Sequence, residues 1–178
     1  WAKAGYFQDM TGKDYLKRIK NNYAEKYAIN GKIYNVPLNA NVSGIYYNKT
    51  KFKELGLEEP KTFEEFQEIT KKIKDSGTSP FAVAGTEGWT LNGYHQLSLI
   101  TTTGSGDKAN DYLRFSKPNA IKATDPTLKE DAKKMDLLAE NAQNGWRGAS
   151  YNDAVVAFAN GKALMMPQGS WALAAVKQ

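Results

Sequence analysis

Apolar positions along the chain follow two rhythms, one of three and four residues and one of two. From Phe63 to Asp75, Phe66, Ile69 and Ile73 recur at helical spacing. Thr62, with Glu65 three residues on, is a capping-box pattern at the start of that helix, and Ser76-Gly77 ends it. Leu128, Ala132, Met135, Leu138 and Ala142 predict a long amphipathic helix that stops at Gly145. Ser150 with Asp153 signals the next start, for a helix presenting Tyr151, Val155 and Phe158 and closed by Gly161. Tyr15, Ile19 and Tyr23 predict helix within 13–27, after a helical tail that closes at Gly5. A mostly uncharged helix is expected from Asn92 to Thr102, and 104–126 reads as a short helix with loops.

The runs between these helices favour extended backbone. After the turn at Asn30-Gly31, Lys32–Leu38 carries Ile33, Tyr34 and Val36, while Pro37 limits how centrally that strand can sit. Ser43–Tyr47, Ser79–Ala84 and Ala163–Met166 are the other predicted strands, and Gly169-Ser170-Trp171 opens a final helix. The polar elbow Asn39-Ala40-Asn41 suggests a strand passing between two structural units. Strands alternating with helices predict an α/β fold.

Composition narrows the classes. The chain has 178 residues, 41% hydrophobic and 24% charged, which excludes wholesale disorder and a coiled coil. There is no cysteine and one histidine, His95, so no thiolate metal site or thiol nucleophile exists and little is left for zinc. The chain opens at Trp1 without a methionine, a basic stretch or an apolar run, so we expect an export signal already removed or a start within a longer protein.

The net charge of +5 raises the question of nucleic acid, and the distribution answers it. Lysines alternate with acids along the candidate helices, as in Lys129, Glu130, Asp131, Lys133 and Lys134. That pattern is a solvated face and not a phosphate-tracking stripe, so no nucleic-acid partner is expected. More informative is a gap in charge: from Ser76 to Gly106 the only formally charged side chain is Glu87. Such a window is either core or the wall of a pocket.

Trp89 and Trp171 both fall where a predicted strand gives way to a helix, the place where open α/β folds hold ligands. An indole face covers the apolar C–H face of a pyranose, contributing about 1–2 kcal/mol per ring. A core or rim tryptophan is the ordinary alternative for each. Glu87, two residues before Trp89, offers a carboxylate to vicinal hydroxyls. Asn39, Asn41 and Gln168 offer amides, which both donate and accept as hydroxyls do. Asn41 is equally a turn residue at the elbow. His95 reads as a satisfied interior imidazole, and Met165-Met166 as core packing. A receptor for an anion or a peptide would instead use the amides at Gly169-Ser170.

Asn30-Gly31-Lys32-Ile33-Tyr34-x-Val36-Pro37, Gly44-Ile45-Tyr46-Tyr47-Asn48-Lys49-x-x-Phe52, Gly56-Leu57 and Pro60-Lys61-Thr62-Phe63-Glu64-Glu65-Phe66 together resemble the extracellular solute-binding proteins of sugar ABC transporters. Phe158-x-x-Gly161-Lys162-Ala163-x-Met165 and Gly169-Ser170-Trp171 match the later part of the same pattern. The resemblance implies a periplasmic-binding-protein-like (type II) lobe of α/β class, three-layered, with helices around a small mixed sheet. It implies that 1–38 belongs to a first lobe, 39–42 crosses a hinge, and 43–178 forms a second lobe whose C-terminal return is absent. Glu87, Trp89 and Trp171 fall at the relatives' sugar-contacting acid and stacking aromatics, while Asn41 replaces an acidic hinge residue of the maltodextrin-binding relatives. The implied function is carbohydrate binding without catalysis or cofactor, for permease subunits of an ABC transporter. The whole protein is then an extracellular or periplasmic monomer, lipid-anchored at the outer face of the membrane, and this stretch alone binds sugar weakly. A secreted carbohydrate-active enzyme is the alternative, and it needs a second carboxylate across one glycosidic bond from Glu87.

Overall fold

The computed structural model describes residues 1–113 and 121–177, in two compact units, Trp1–Asn41 and Val42–Gln178. The 114–120 part of the expected 104–126 loop region lies outside the described residues.

In the first unit, the single helix expected over 13–27 is broken into short pieces. Tight 3-10 turns cover Ala2–Ala4, Asp14–Arg18 and Lys20–Asn22, followed by one α-turn, α1, at Tyr23–Lys26. The breaks are at Ile19, which is extended, and at Asn21 and Asn22, whose φ values of 58° and 54° are left-handed. Asparagine enters that region more readily than other side chains do, because its short amide bonds locally. Leu16, Ala24 and Ile33 form this unit's small core. The predicted strand Lys32–Leu38 has no ladder beyond a bridge between Ile29 and Lys32. The Ile33 carbonyl accepts from the Met10 N–H at 2.8 Å and its N–H donates to Thr11 Oγ1 at 3.0 Å. Those groups are therefore satisfied by a loop, and Pro37 brings no N–H to any neighbour.

The second unit runs β1 (Ser43–Tyr47), α2 (Lys49–Glu54), α3 (Phe63–Asp75), β2 (Ser79–Phe81), α4 (Gly88–Thr103), α5 (Gly106–Tyr112), α6 (Pro126–Glu140), α7 (Tyr151–Ala159), β3 (Ala163–Gly169) and α8 (Leu173–Val176). The capping box of α3 forms as its sequence requires. Thr62 Oγ1 accepts from the Glu65 N–H at 3.1 Å, and the Glu65 carboxylate accepts from the Thr62 N–H at 3.3 Å.

The three strands make a mixed sheet in the order β1-β3-β2. Central β3 is antiparallel to β1, with Ser43 opposite Gly169 and Tyr47 opposite Met165, and parallel to β2. All seven residues of β3 are buried, and it continues three residues past the predicted Ala163–Met166. A strand covered on both faces needs no alternation of apolar with polar residues, and Met165-Met166 is core as expected. Side chains from the end of β2 onward alternate between two cores. Phe81 and Val83 join Phe52, Ile73, Tyr94, Leu138 and Leu164. Ala82 and Ala84 join Ala154, Phe158, Ala163 and Met166. Helices α3, α4 and α6 thus cover one face and α7 the other, giving three layers of α/β class.

The predicted strand Ser79–Ala84 is ladder-paired only over Ser79–Phe81. Past it, Ala82 N–H still donates to the Met165 carbonyl at 2.8 Å. On its other side the segment meets side chain and loop. The Gln143 amide bonds both the N–H and the C=O of Val83, at 2.8 and 2.7 Å, and Phe81 exchanges bonds with Asn141 and Gln143. The chain then passes so close to 146–147 that a Cβ on Gly85 would lie 2.6 Å from backbone atoms there. The N–H groups of Gly85 and Thr86 both donate to the Ala149 carbonyl. This fixed turn aims the following residues. Helix α4 starts at Gly88, four residues before the expected Asn92, and so carries Trp89 in its first turn.

Candidate functional site

Two strand ends meet at one hollow. From the turn after β2 come Trp89 and, further along α4, Thr90, Asn92, Gly93, Gln96 and Leu97. From β3 and the turn after it come Pro167, Gln168, Gly169 and Trp171, and Ser43 of β1 completes a space of about 190 Å³. The indoles of Trp89 and Trp171 lie 6.1 Å apart, their planes at 59°. They are 48% and 46% exposed, so neither ring is sealed in a core and both keep a face open. A third ring joins them: Tyr151, at the first position of α7, lies 5.3 Å from Trp89. Burial and the neighbouring Tyr46 push its phenol up, which keeps the hydroxyl protonated.

The seat of Trp171 is built by its own neighbours. Its Nε1–H donates to Gln168 Oε1 at 3.1 Å, and the ring lies directly over Gly169. A Cβ at that glycine would come within 2.1 Å of two ring carbons. The Tyr46 hydroxyl donates to the Gly169 carbonyl at 3.0 Å and holds the strand end beneath the ring.

Glu87 is brought to the same corner, where its carboxylate is engaged within the protein. One of its oxygens accepts from the Tyr151 N–H at 2.8 Å and from the Thr86 hydroxyl at 2.7 Å. It thereby meets the positive end of α7 and ties the Tyr151 turn to the start of α4. Asp153 anchors the same turn, its carboxylate held below the usual range by hydrogen bonds from the Ser150 N–H and hydroxyl. A carboxyl with a lowered pKa stabilises the fold at pH values above its unfolded value and loses that contribution as pH falls through the folded one. Amide exchange at Ser150 to Ala154 is therefore expected to lose protection on acidification before the strands do. Asp153→Asn should remove that pH dependence, and strands and turn opening together would show that the box is not the acid-sensitive element.

Of the six residues named from sequence, Glu87, Trp89, Gln168 and Trp171 come together here. Asn39 and Asn41 belong to the first unit, exposed and outside any helix or strand. Sequence reasoning did not single out Tyr151, Asn92, Gln96 or Ser43 as site residues. The first sits in a recognised capping box and the next two in the uncharged window, so the signals existed but carried no direction.

His95 lies outside this hollow, its Nε2 2.8 Å from the buried Asp131 carboxylate, and links α4 to α6. Lys134 of α6 donates to the hydroxyls of Thr101 and Thr102 at 2.9 Å, its amine lowered first by burial. Both pairs clamp the helices that carry the site. Among the described residues no cluster of three or more His, Asp or Glu side chains could hold a metal, and no helix is long and apolar enough to cross a membrane.

The family model of bacterial extracellular solute-binding proteins matches residues 1–178. The chain belongs to that family. This member is 65% identical over 180 aligned positions to the multiple sugar-binding protein of Streptococcus mutans, covering the whole of this chain and 43% of the relative. Among solved structures, the solute-binding protein RafE in complex with raffinose superposes with a TM-score of 0.89 at 57% identity, over 99% of this chain and 47% of that one. The apo form of RafE, from Streptococcus pneumoniae, gives 0.85. A chitin-oligosaccharide-binding protein gives 0.82 at 32% identity, over 98% and 44% of the two chains. The chain thus spans a little under half the length of the relatives it matches.

Proposed function

We propose that the protein is the sugar-binding component of an ABC uptake system, working outside the cytoplasmic membrane without catalysis or cofactor. The carrying observation is the pair of half-exposed indoles, Trp89 and Trp171, angled over one hollow lined with amides. Such a wall offers apolar faces for sugar rings and amides for their hydroxyls. The relatives, a multiple sugar-binding protein and a solute-binding protein in complex with raffinose, support the same class of ligand.

In this reading residues 1–38 belong to a first lobe, 39–42 to a hinge crossing and 43–178 to a second lobe. The break between compact units at Asn41 and Val42 supports the division. Asn39 and Asn41 serve as ligand contacts from the hinge, and Glu87 offers its second oxygen to a hydroxyl. The whole protein is a lipid-anchored monomer that hands sugar to permease subunits. Because two lobes must close to exclude water, this stretch alone binds sugar weakly.

Two rival readings have less support. A glycosidase needs a pair of carboxylates facing one bond; the residues that line the hollow include no carboxylate, and Glu87 nearby is engaged by Tyr151 and Thr86. An anion receptor would need free amides after β3. Ser170 N–H donates to the Val42 carbonyl at 2.8 Å, and Gly169 N–H lies 3.3 Å from Gln168 Oε1.

Calorimetric titration of the full natural chain with raffinose, chitooligosaccharides, monosaccharides and phosphate tests the proposal, alongside incubation with chromogenic glycosides. Saturable heat with a saccharide and no turnover is the expected result. Heat with phosphate alone, or turnover abolished by Glu87→Gln, would overturn it.

A further inference from the structure

An indole N–H can only donate, so the Gln168 atom 3.1 Å from it must be the amide oxygen. That contact settles which way round the amide lies. The same oxygen also lies 3.3 Å from the Gly169 N–H, so the acceptor half of the side chain is committed within the protein. Gln168 is itself buried and lines the hollow. Among the described residues, no hydrogen bond from its Nε2 to another protein atom is formed. We infer that Gln168 has two separable roles: its Oε1 positions the Trp171 ring, and its Nε2 presents the hollow with a hydrogen-bond donor and no acceptor. The second role rests on the saccharide-binding reading, whereas the first concerns the unliganded protein alone.

The inference changes what the site selects. An amide free to turn accepts either partner of a hydroxyl, but an amide locked by an indole favours a ligand oxygen that accepts. An ether, ring or carbonyl oxygen, or a hydroxyl whose proton is used elsewhere, meets that requirement. A ligand group that can only donate leaves Nε2 unpaired, at the cost of a desolvated donor. Gly169 completes the device, because the ring can reach Gln168 only by lying where any larger residue would put its Cβ.

Two substitutions separate the roles. Gln168→Glu keeps an oxygen for Trp171 and removes the donor, while Gln168→Met keeps the length of the side chain and removes both. The first readout is ligand-free: nuclear magnetic resonance of the Trp171 side-chain N–H and its protection from exchange. Gln168→Glu should retain the protected signal and Gln168→Met should lose it. Gly169→Ala, which displaces the ring with Gln168 intact, should lose it as well and serves if Gln168→Met does not fold. The second readout is titration of the full natural chain with raffinose, where Gln168→Glu should bind about tenfold more weakly and Gln168→Met more weakly still. Unchanged protection in Gln168→Met or Gly169→Ala would overturn the positioning role. Undiminished raffinose affinity in Gln168→Glu would overturn the donor role. Absence of raffinose binding in the unmodified protein would overturn the donor role toward that sugar, leaving the exchange measurement to judge the positioning role by itself.

Discussion

Phe81→Ala is expected to destabilise the second unit by about 3–5 kcal/mol, the usual cost of emptying a phenylalanine site in a core. Phe81 is fully buried, and its ring lies 5.6 Å from that of Phe66 on α3. It also stands opposite Met165 of β3, so its side chain joins a surface helix to the central strand. Neither neighbour can collapse into the space without leaving its own element, which puts the cost at the upper part of that range. Urea unfolding of the variant against the parent measures it, with the midpoint shifting and the slope preserved. A loss under about 1 kcal/mol would show that β2 does not anchor the sheet as described.

The second large effect concerns the indole pair. In the full natural chain, Trp89→Ala and Trp171→Ala are each expected to weaken saccharide binding at least about tenfold, or roughly 1.4 kcal/mol per ring. Because the two rings are in contact, the double variant should fall short of the product of the single effects. Both are about half exposed, so unfolding midpoints should hardly move. Calorimetry for affinity and thermal unfolding for integrity check the two halves together. Unchanged affinity in both single variants would remove the stacking argument.

How much of this could be read from the chain depends on the range of the forces involved. The capping boxes at Thr62 and Ser150 were legible because every atom in them lies within four residues. The alternation of β-runs with helices was legible for a similar reason, since burial on one side imposes a period. Lys32–Leu38 has a strand's composition but forms no ladder, because a strand is a relation between two segments and composition describes one. The helix expected over 13–27 had its aromatic residues at the right spacing. An extended Ile19 and two successive left-handed asparagines broke it, in conformations that the spacing does not register.

At the site, residue types were legible and their relations were not. Glu87, Trp89 and Trp171 could be named from their places after strands. That the carboxylate would bond the Tyr151 N–H, 64 positions along, was not available from spacing. Gln168 was read as an amide that donates and accepts, and only the seat of Trp171 shows that one of those capacities is spent. Tyr151 illustrates the same limit. It follows a recognised cap, yet its contact with Trp89 exists only because a turn against 146–147 aims α4 toward α7.

The Gln143 side chain that bonds both backbone groups of Val83 has a further consequence. Backbone left bare along the rim of a sheet invites a strand from another molecule, the first step toward polymerisation. Here a loop amide and the 141–143 backbone already occupy the places that an intruding strand would take beside Phe81 and Val83. The rim beside the hollow is thereby closed to strand-by-strand addition of a second copy.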